Sequence, residues 1–350
     1  MVVGLRSWSS NIYAITPGNA TNVAPLVSVT GLGTDPHRDR IMLVDVFVQP
    51  LSQLQYLYMK FFQHPVEFFG ASELVGPDTP TSQLTDQGFL QMSDSQLAAK
   101  VAALRALGWK LPAMPTGAVI TSVYNNTPAL RAGLKIGDEI TAVNGHRVTS
   151  QCSLLGVLAH VAAGTRLEVT THRAVFSATG VLSRGAESTL KLTTAPSPAP
   201  FAPTGCAHGL RSGPSVLGIA GEDGTRYSLP GAISLDTANI GGPSAGLAMT
   251  LTLIDTLSQG SLTGHHAIAT TGTIDPQGNV GPIGGAAEKT VAVEKAGIHY
   301  FFVPAGSDYA AARAEANASL HVYSVSTLSQ VLADLRKLGG AAPVPYSTPR

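Results

Sequence analysis

Apolar residues recur along this chain with two different periods. Strand-like runs occupy Leu26-Val27-Ser28-Val29 and Ile41-Met42-Leu43-Val44-Asp45-Val46-Phe47-Val48. Leu54, Tyr58, Phe61 and Phe62 then return at helical spacing, a stripe read first as core packing and second as a membrane-facing patch. Ser93-Asp94-Ser95-Gln96 has the residue types of a capping box, in which Ser93 and Gln96 satisfy each other's free backbone N–H groups. The helix it opens carries Leu97, Val101, Leu104 and Leu107 on one side and stops at Gly108.

From Gly117 the pattern becomes strand, short helix, strand: Ala118-Val119-Ile120-Thr121-Ser122-Val123, then Pro128 to Leu134, then Gly137-Asp138-Glu139-Ile140-Thr141-Ala142-Val143. Asn144-Gly145 suits a tight hairpin turn with positive φ. Leu154, Leu155, Leu158 and Val161 mark a further helix, and Leu167 to Thr171 a closing strand. The string Ala132-Gly133-Leu134 followed by Gly137-Asp138 and Ile140 resembles a PDZ domain, over residues 109–194. The resemblance implies a groove that takes an extended peptide as an added strand. The family's Gly-Leu-Gly-Phe carboxylate loop is missing; Leu107-Gly108-Trp109-Lys110-Leu111 lies near where it would fall.

Ala195 to Pro203 is rich in proline and reads as an extended spacer, so residues 195–212 form a linker and a domain boundary. Residues 1–108 read as an N-terminal mixed α/β segment, and the Gly-, Ala- and Pro-rich residues 339–350 as a disordered tail. The fold class expected is α+β, in several domains.

The chemistry concentrates in residues 213–338. In Gly241-Gly242-Pro243-Ser244-Ala245-Gly246, small residues suit a turn, and Leu247, Leu251, Ile254 and Leu257 follow on one helix face. Ser244 then lies at a helix N-terminus, where free N–H groups favour a developing oxyanion, although serine is also an ordinary N-cap. After Gly284-Gly285-Ala286-Ala287-Glu288, helical spacing groups Lys289 with Ala292, Val293 and Ala296, and puts Glu288 and Lys295 on a neighbouring polar strip. An inward lysine is desolvated: taking its pKa from about 10.4 to about 8 costs roughly 3 kcal/mol and yields a neutral amine able to take a hydroxyl proton. Between them, Ala269 to Val280 reads as two strands joined by the turn Asp275-Pro276-Gln277-Gly278, with a threonine hydroxyl available to aim the amine.

Gly242-Pro243-Ser244-Ala245-Gly246, Thr271-Gly272-Thr273-Ile274-Asp275-Pro276-Gln277-Gly278 and the lysine after Gly285 resemble the proteolytic domain of Lon proteases. That resemblance assigns the nucleophile to Ser244, the base to Lys289 and a lysine contact to Thr271. The whole chain is similar to bacterial PDZ-containing, Lon-like proteases, which lack an ATPase module and are tethered outside the cytoplasmic membrane. The resemblance thus implies polypeptide substrates, a site on the extracytoplasmic face of the envelope and a hexameric ring. Many Lon enzymes place an acid three residues before the serine; here Gly241 stands there, with Asp236 further upstream.

Composition narrows the alternatives. Apolar residues at 44% and charged ones at 13% fit a globular protein, and zero formal net charge creates no field for nucleic acid. No apolar run reaches the ~18 residues of a spanning helix. Glu288 occupies the glycine position a phosphate loop requires before its lysine, so ATP hydrolysis and a cofactor are not expected. His265 and His266 lack a third metal ligand and read as an exposed loop. Cys152 and Cys206 fit either a disulfide or two thiols. Two other functions are open: a nucleophile elbow using Asp275 with His299 or His321, and a non-catalytic peptide-binding scaffold.

Overall fold

In a computed structural model, residues 9–35, 39–71, 73, 79–177, 182–197, 206, 215–237 and 240–346 are described. They divide into two compact units, one drawn from Met1–Ala71, Gln91–Leu111 and Leu229–Arg350, the other from Ser72–Leu90 and Pro112–Ser228. Both mix helices with strands, as expected for an α+β chain.

The first unit is built on a six-stranded sheet in the order His321–Val325, Tyr300–Pro304, Ile268–Thr270, Ile41–Ser52, Ser9–Asn22, Glu67–Gly70. Its first four strands run parallel and the last two pair antiparallel. Parallel neighbours need a long crossover, and here the crossovers are helices: Ala286–Lys295 lies between the strands at 268 and 300, and Ser307–Glu315 between those at 300 and 321. Ile41, Leu43, Ile268, Phe301 and Phe302 are buried on the sheet. The helix Gly246–Leu257 is buried along its whole length, which explains why it is apolar on nearly every side.

Several expectations change here. The N-terminal segment is not a separate domain, because its strands complete the sheet that carries the later ones. Ser93 does not open a helix: the helix runs Leu84–Ala106, and Ser95, rather than Ser93, is buried and engaged. Its end agrees with the sequence, since Gly108 turns left-handed at φ 92°. The helix Gln53–Phe62 buries none of its residues: Leu54 is 62% exposed and Phe62 74%, so its apolar stripe is not core. Part of the tail is ordered, with Gln259 N–H bonding Val344 O and Tyr346 N–H bonding Leu257 O; residues 347–350 lie outside the described part.

The second unit is an antiparallel sheet ordered Ile219–Arg226, Met114–Val123, Glu139–Val143, Arg166–Phe176, Leu182–Thr193. Asn144 and Gly145 form the expected turn at φ 48° and 76°. The helix Gln151–Leu158 buries Leu154 and Leu158 in a core with Ile120, Ile140 and Val169. Cys152 and Cys206 form a disulfide. The expected boundary at 195–212 falls differently: residues 219–226, assigned from sequence to the later domain, pair with Met114–Val123. Most of the proline-rich spacer lies outside the described residues.

Candidate active site

Ser244 stands in a single turn, Pro243–Ala245, that runs directly into the helix Gly246–Leu257. Gly242 precedes it at φ 86°, a conformation costly for any residue with a Cβ. The main chain of Ser244 is tied down: its carbonyl oxygen accepts the N–H of Gly272 at 2.9 Å and the Thr271 hydroxyl at 3.3 Å. Leu247 N–H bonds Gly272 O in return at 3.1 Å. The residue before it is held from another side, where the Ser95 hydroxyl donates to Pro243 O at 2.9 Å. Ser244 itself is half-buried, so it remains within reach of solvent.

Lys289 comes from the first turn of the helix Ala286–Lys295. Gly285, at φ 68°, turns the chain into that helix, and a Cβ there would lie 3.0 Å from Ile15 and Val46 side-chain carbons. Only 2% of Lys289 is exposed. Its Nζ lies 2.9 Å from Ser244 Oγ and 3.3 Å from Thr271 Oγ1, donating to both hydroxyls. Burial lowers the amine's pKa from 10.5 to about 8, while the carboxylates of Asp308, Asp45 and Glu288 pull it upward. The three residues singled out from sequence therefore meet at one point, where the strand Ile268–Thr270 ends, the serine turn begins and the lysine helix starts.

Glu288 is a correction: it is 3% exposed, not on a polar strip, and burial raises its carboxyl pKa. Ser95 and Asp308 were not singled out, because nothing local marks a serine inside a helix or an acid in a helix's first turn as part of a distant site. Asp236 contributes its N–H to Leu26 O. The residues of the alternative triad serve elsewhere. Asp275 accepts the N–H groups of Gln277 and Asn279 within its own turn. His299 Nδ1 lies 3.3 Å from Ser319 O, and His321 stacks on Tyr300. His265 is exposed, as the sequence indicates.

Residues 232–337 match the Lon protease (S16) C-terminal proteolytic domain, and residues 90–192 match the PDZ domain. The chain carries a Lon-type proteolytic domain and a PDZ domain. Over 99 residues it is 39% identical to Lon protease 1 of Sorangium cellulosum, covering 28% of this chain and 12% of that protein. Over 93 residues it is 37% identical to Lon protease of Rickettsia felis, covering 26% and 12%. The chain thus spans about an eighth of the length of these curated relatives. Among solved structures, the PDZ domain of the SdrC-like protein from Listeria monocytogenes is 15% identical, with a TM-score of 0.22, covering 30% of this chain and 86% of that one. The HtrA-type protease AlgW with decapeptide is 20% identical, with a TM-score of 0.21, covering 27% and 29%.

The PDZ unit has a groove of about 800 Å³ lined by Leu154, Leu155 and Leu158 of its helix and by Leu217, Gly218 and Ile219. Residues 217–219 lie beyond the matched segment and much later in the chain than Leu107 to Leu111, where sequence spacing placed the carboxylate loop. Val216-Leu217-Gly218-Ile219 is a small apolar string around a glycine at φ 85°, and its position late in the chain kept it from being singled out. The strand Ile219–Arg226 is at an end of the sheet, so one of its sides is not used by Met114–Val123.

Proposed function

We propose that this chain hydrolyses peptide bonds through a Ser244–Lys289 dyad. The observation that carries the reading is the 2.9 Å approach of a 2%-exposed lysine amine to a half-buried serine hydroxyl. With the amine neutral and the hydroxyl turned to donate to it, Ser244 Oγ attacks the scissile carbonyl carbon and its proton passes to Lys289 Nζ. The charge on the carbonyl oxygen would be met by backbone N–H groups near Ser244. The ammonium then protonates the leaving amine, the C–N bond breaks and an ester remains on Ser244. Water, giving its proton to the same amine, attacks that ester; the ester C–O bond then breaks as the ammonium returns the proton to Ser244 Oγ, freeing the acid and restoring the serine. Thr271 holds the amine's direction throughout by accepting one of its hydrogens.

The PDZ groove would take an extended segment of substrate as a strand beside Ile219–Arg226, its side chains against Leu154, Leu155 and Leu158. In this reading the chain works without ATP. The Cys152–Cys206 disulfide favours an oxidising compartment such as the outer side of a bacterial membrane. Among the described residues no helix is long and apolar enough to cross a membrane. A hexameric ring is the assembly the Lon resemblance suggests, and sedimentation measures it.

The test is cleavage of unfolded casein by wild type, Ser244→Ala, Lys289→Ala and His299→Ala. Loss in the first two variants alone supports the dyad. Loss in His299→Ala would replace it with an imidazole base, and no cleavage by any form would leave a peptide-binding scaffold.

A further inference from the structure

Asp308 lies in the first turn of the helix Ser307–Glu315 and is 8% exposed. An acid there ordinarily serves the free N–H groups of its own helix. Here Oδ2 instead accepts the N–H of Ile283, 25 residues earlier, at 2.9 Å. Ile283 belongs to Gly281-Pro282-Ile283-Gly284-Gly285, the connection that leads into the lysine helix, and Lys289 N–H in turn bonds Gly285 O at 2.9 Å. Three glycines leave this connection few side chains to pack and much backbone freedom to lose, so a buried tether decides its path.

We propose that Asp308 is a positioning residue for the Ser244–Lys289 pair: its bond to Ile283 fixes the connection that launches the lysine helix, and its charge favours the ammonium formed when Lys289 takes the serine proton. The proposal rests on the dyad reading and adds to it a role for a residue outside the three that meet. Creating an ammonium on a buried side chain is disfavoured by desolvation, and a nearby carboxylate offsets that cost in the transition state. The amine donates to the hydroxyls of Ser244 and Thr271, and the acids that favour its charged form are Asp45 on the strand Ile41–Ser52, Glu288 on its own helix and Asp308 on the helix packed beside it. Asp308 is one of three acids whose charge favours the protonated amine, and the only one of them that also accepts the Ile283 N–H.

Asp308→Asn retains an oxygen to accept from Ile283 and removes the charge. Its casein-cleavage rate should rise with pH at a midpoint lower by roughly half a unit to one unit, and its alkaline plateau should fall about three- to tenfold. Asp308→Glu, which keeps the charge, should keep the wild-type midpoint. A purely structural role predicts a lower rate with no movement of the midpoint, and that result in Asp308→Asn overturns the proposal. If neither variant folds, amide exchange in the wild type decides: protection of Ile283 N–H supports the tether, and exchange as fast as in an open peptide overturns it. Cleavage retained by Ser244→Ala would sink the dyad itself, whereas an inert Ser244→Ala beside an unmoved Asp308→Asn profile sinks this inference alone.

Discussion

Replacing Lys289 with methionine should abolish cleavage and, near neutral pH, make the protein harder to unfold. Burial takes the amine's pKa from 10.5 in the open chain to about 8 in the fold. At ~1.4 kcal/mol per unit, the folded state gives up about 3 kcal/mol wherever both states carry the proton, that is below about pH 8. Between about 8 and 10.5 the unfolded chain binds more proton than the native one, so wild-type stability climbs with pH across this window. Above it the penalty is gone. Methionine has a similar length and no such dependence, but it leaves the buried Thr271 hydroxyl short of one partner, a cost of about 1–2 kcal/mol. The variant should therefore be about 1–2 kcal/mol more stable near neutrality and less stable than wild type above pH 10.5. The change between the two conditions, about 3 kcal/mol, does not depend on the hydroxyl term. Urea unfolding of both proteins at each pH measures it, and subtracting variant from wild type cancels every other titrating group. A stability difference that is the same at both pH values would mean that the amine is not desolvated, and the reasoning fails.

Thr271→Val removes the second acceptor of the amine and should lower the cleavage rate about 10- to 100-fold, with folding retained as judged by circular dichroism. Phe61→Ser should change unfolding free energy by no more than about 0.5 kcal/mol because Phe61 is 67% exposed, whereas Phe301→Ala, at 0%, should cost about 3–5 kcal/mol in the same urea titration. Leu155→Glu puts a charge into the PDZ groove; it should weaken binding of an apolar-ended peptide at least about tenfold by fluorescence polarisation while leaving short-peptide hydrolysis unchanged.

The site was more legible in the sequence than the domains around it, for a physical reason. Ser244 and Lys289 announce themselves through local features, a glycine-rich turn and a lysine at apolar helical positions, whereas Thr271 stands out only through the resemblance to the Lon proteolytic domain. Strand partners carry no such mark. Nothing in Ile41 to Val48 states that it will run beside Ile268–Thr270, and nothing in Ile219 to Arg226 states that its partner is Met114–Val123. Periodicity reports that a face is apolar, not what covers it, which is why the Leu54–Phe62 stripe suggested core and proved exposed. Glu288 was misplaced for the converse reason: charge suggests solvent, but the lysine helix is packed on more than one side. The Ser93 box misled because Ser93 and Gln96 fit a cap in type and spacing while the helix continues through them from Leu84.

The most direct test of the account is the pH dependence of covalent capture of Ser244 by a fluorophosphonate, with the labelled residue located by peptide mass mapping. The account predicts label on Ser244, a capture rate that rises with a midpoint at about pH 8, and no capture in Lys289→Ala. Label elsewhere, or capture of Ser244 that proceeds undiminished without the lysine, would contradict it.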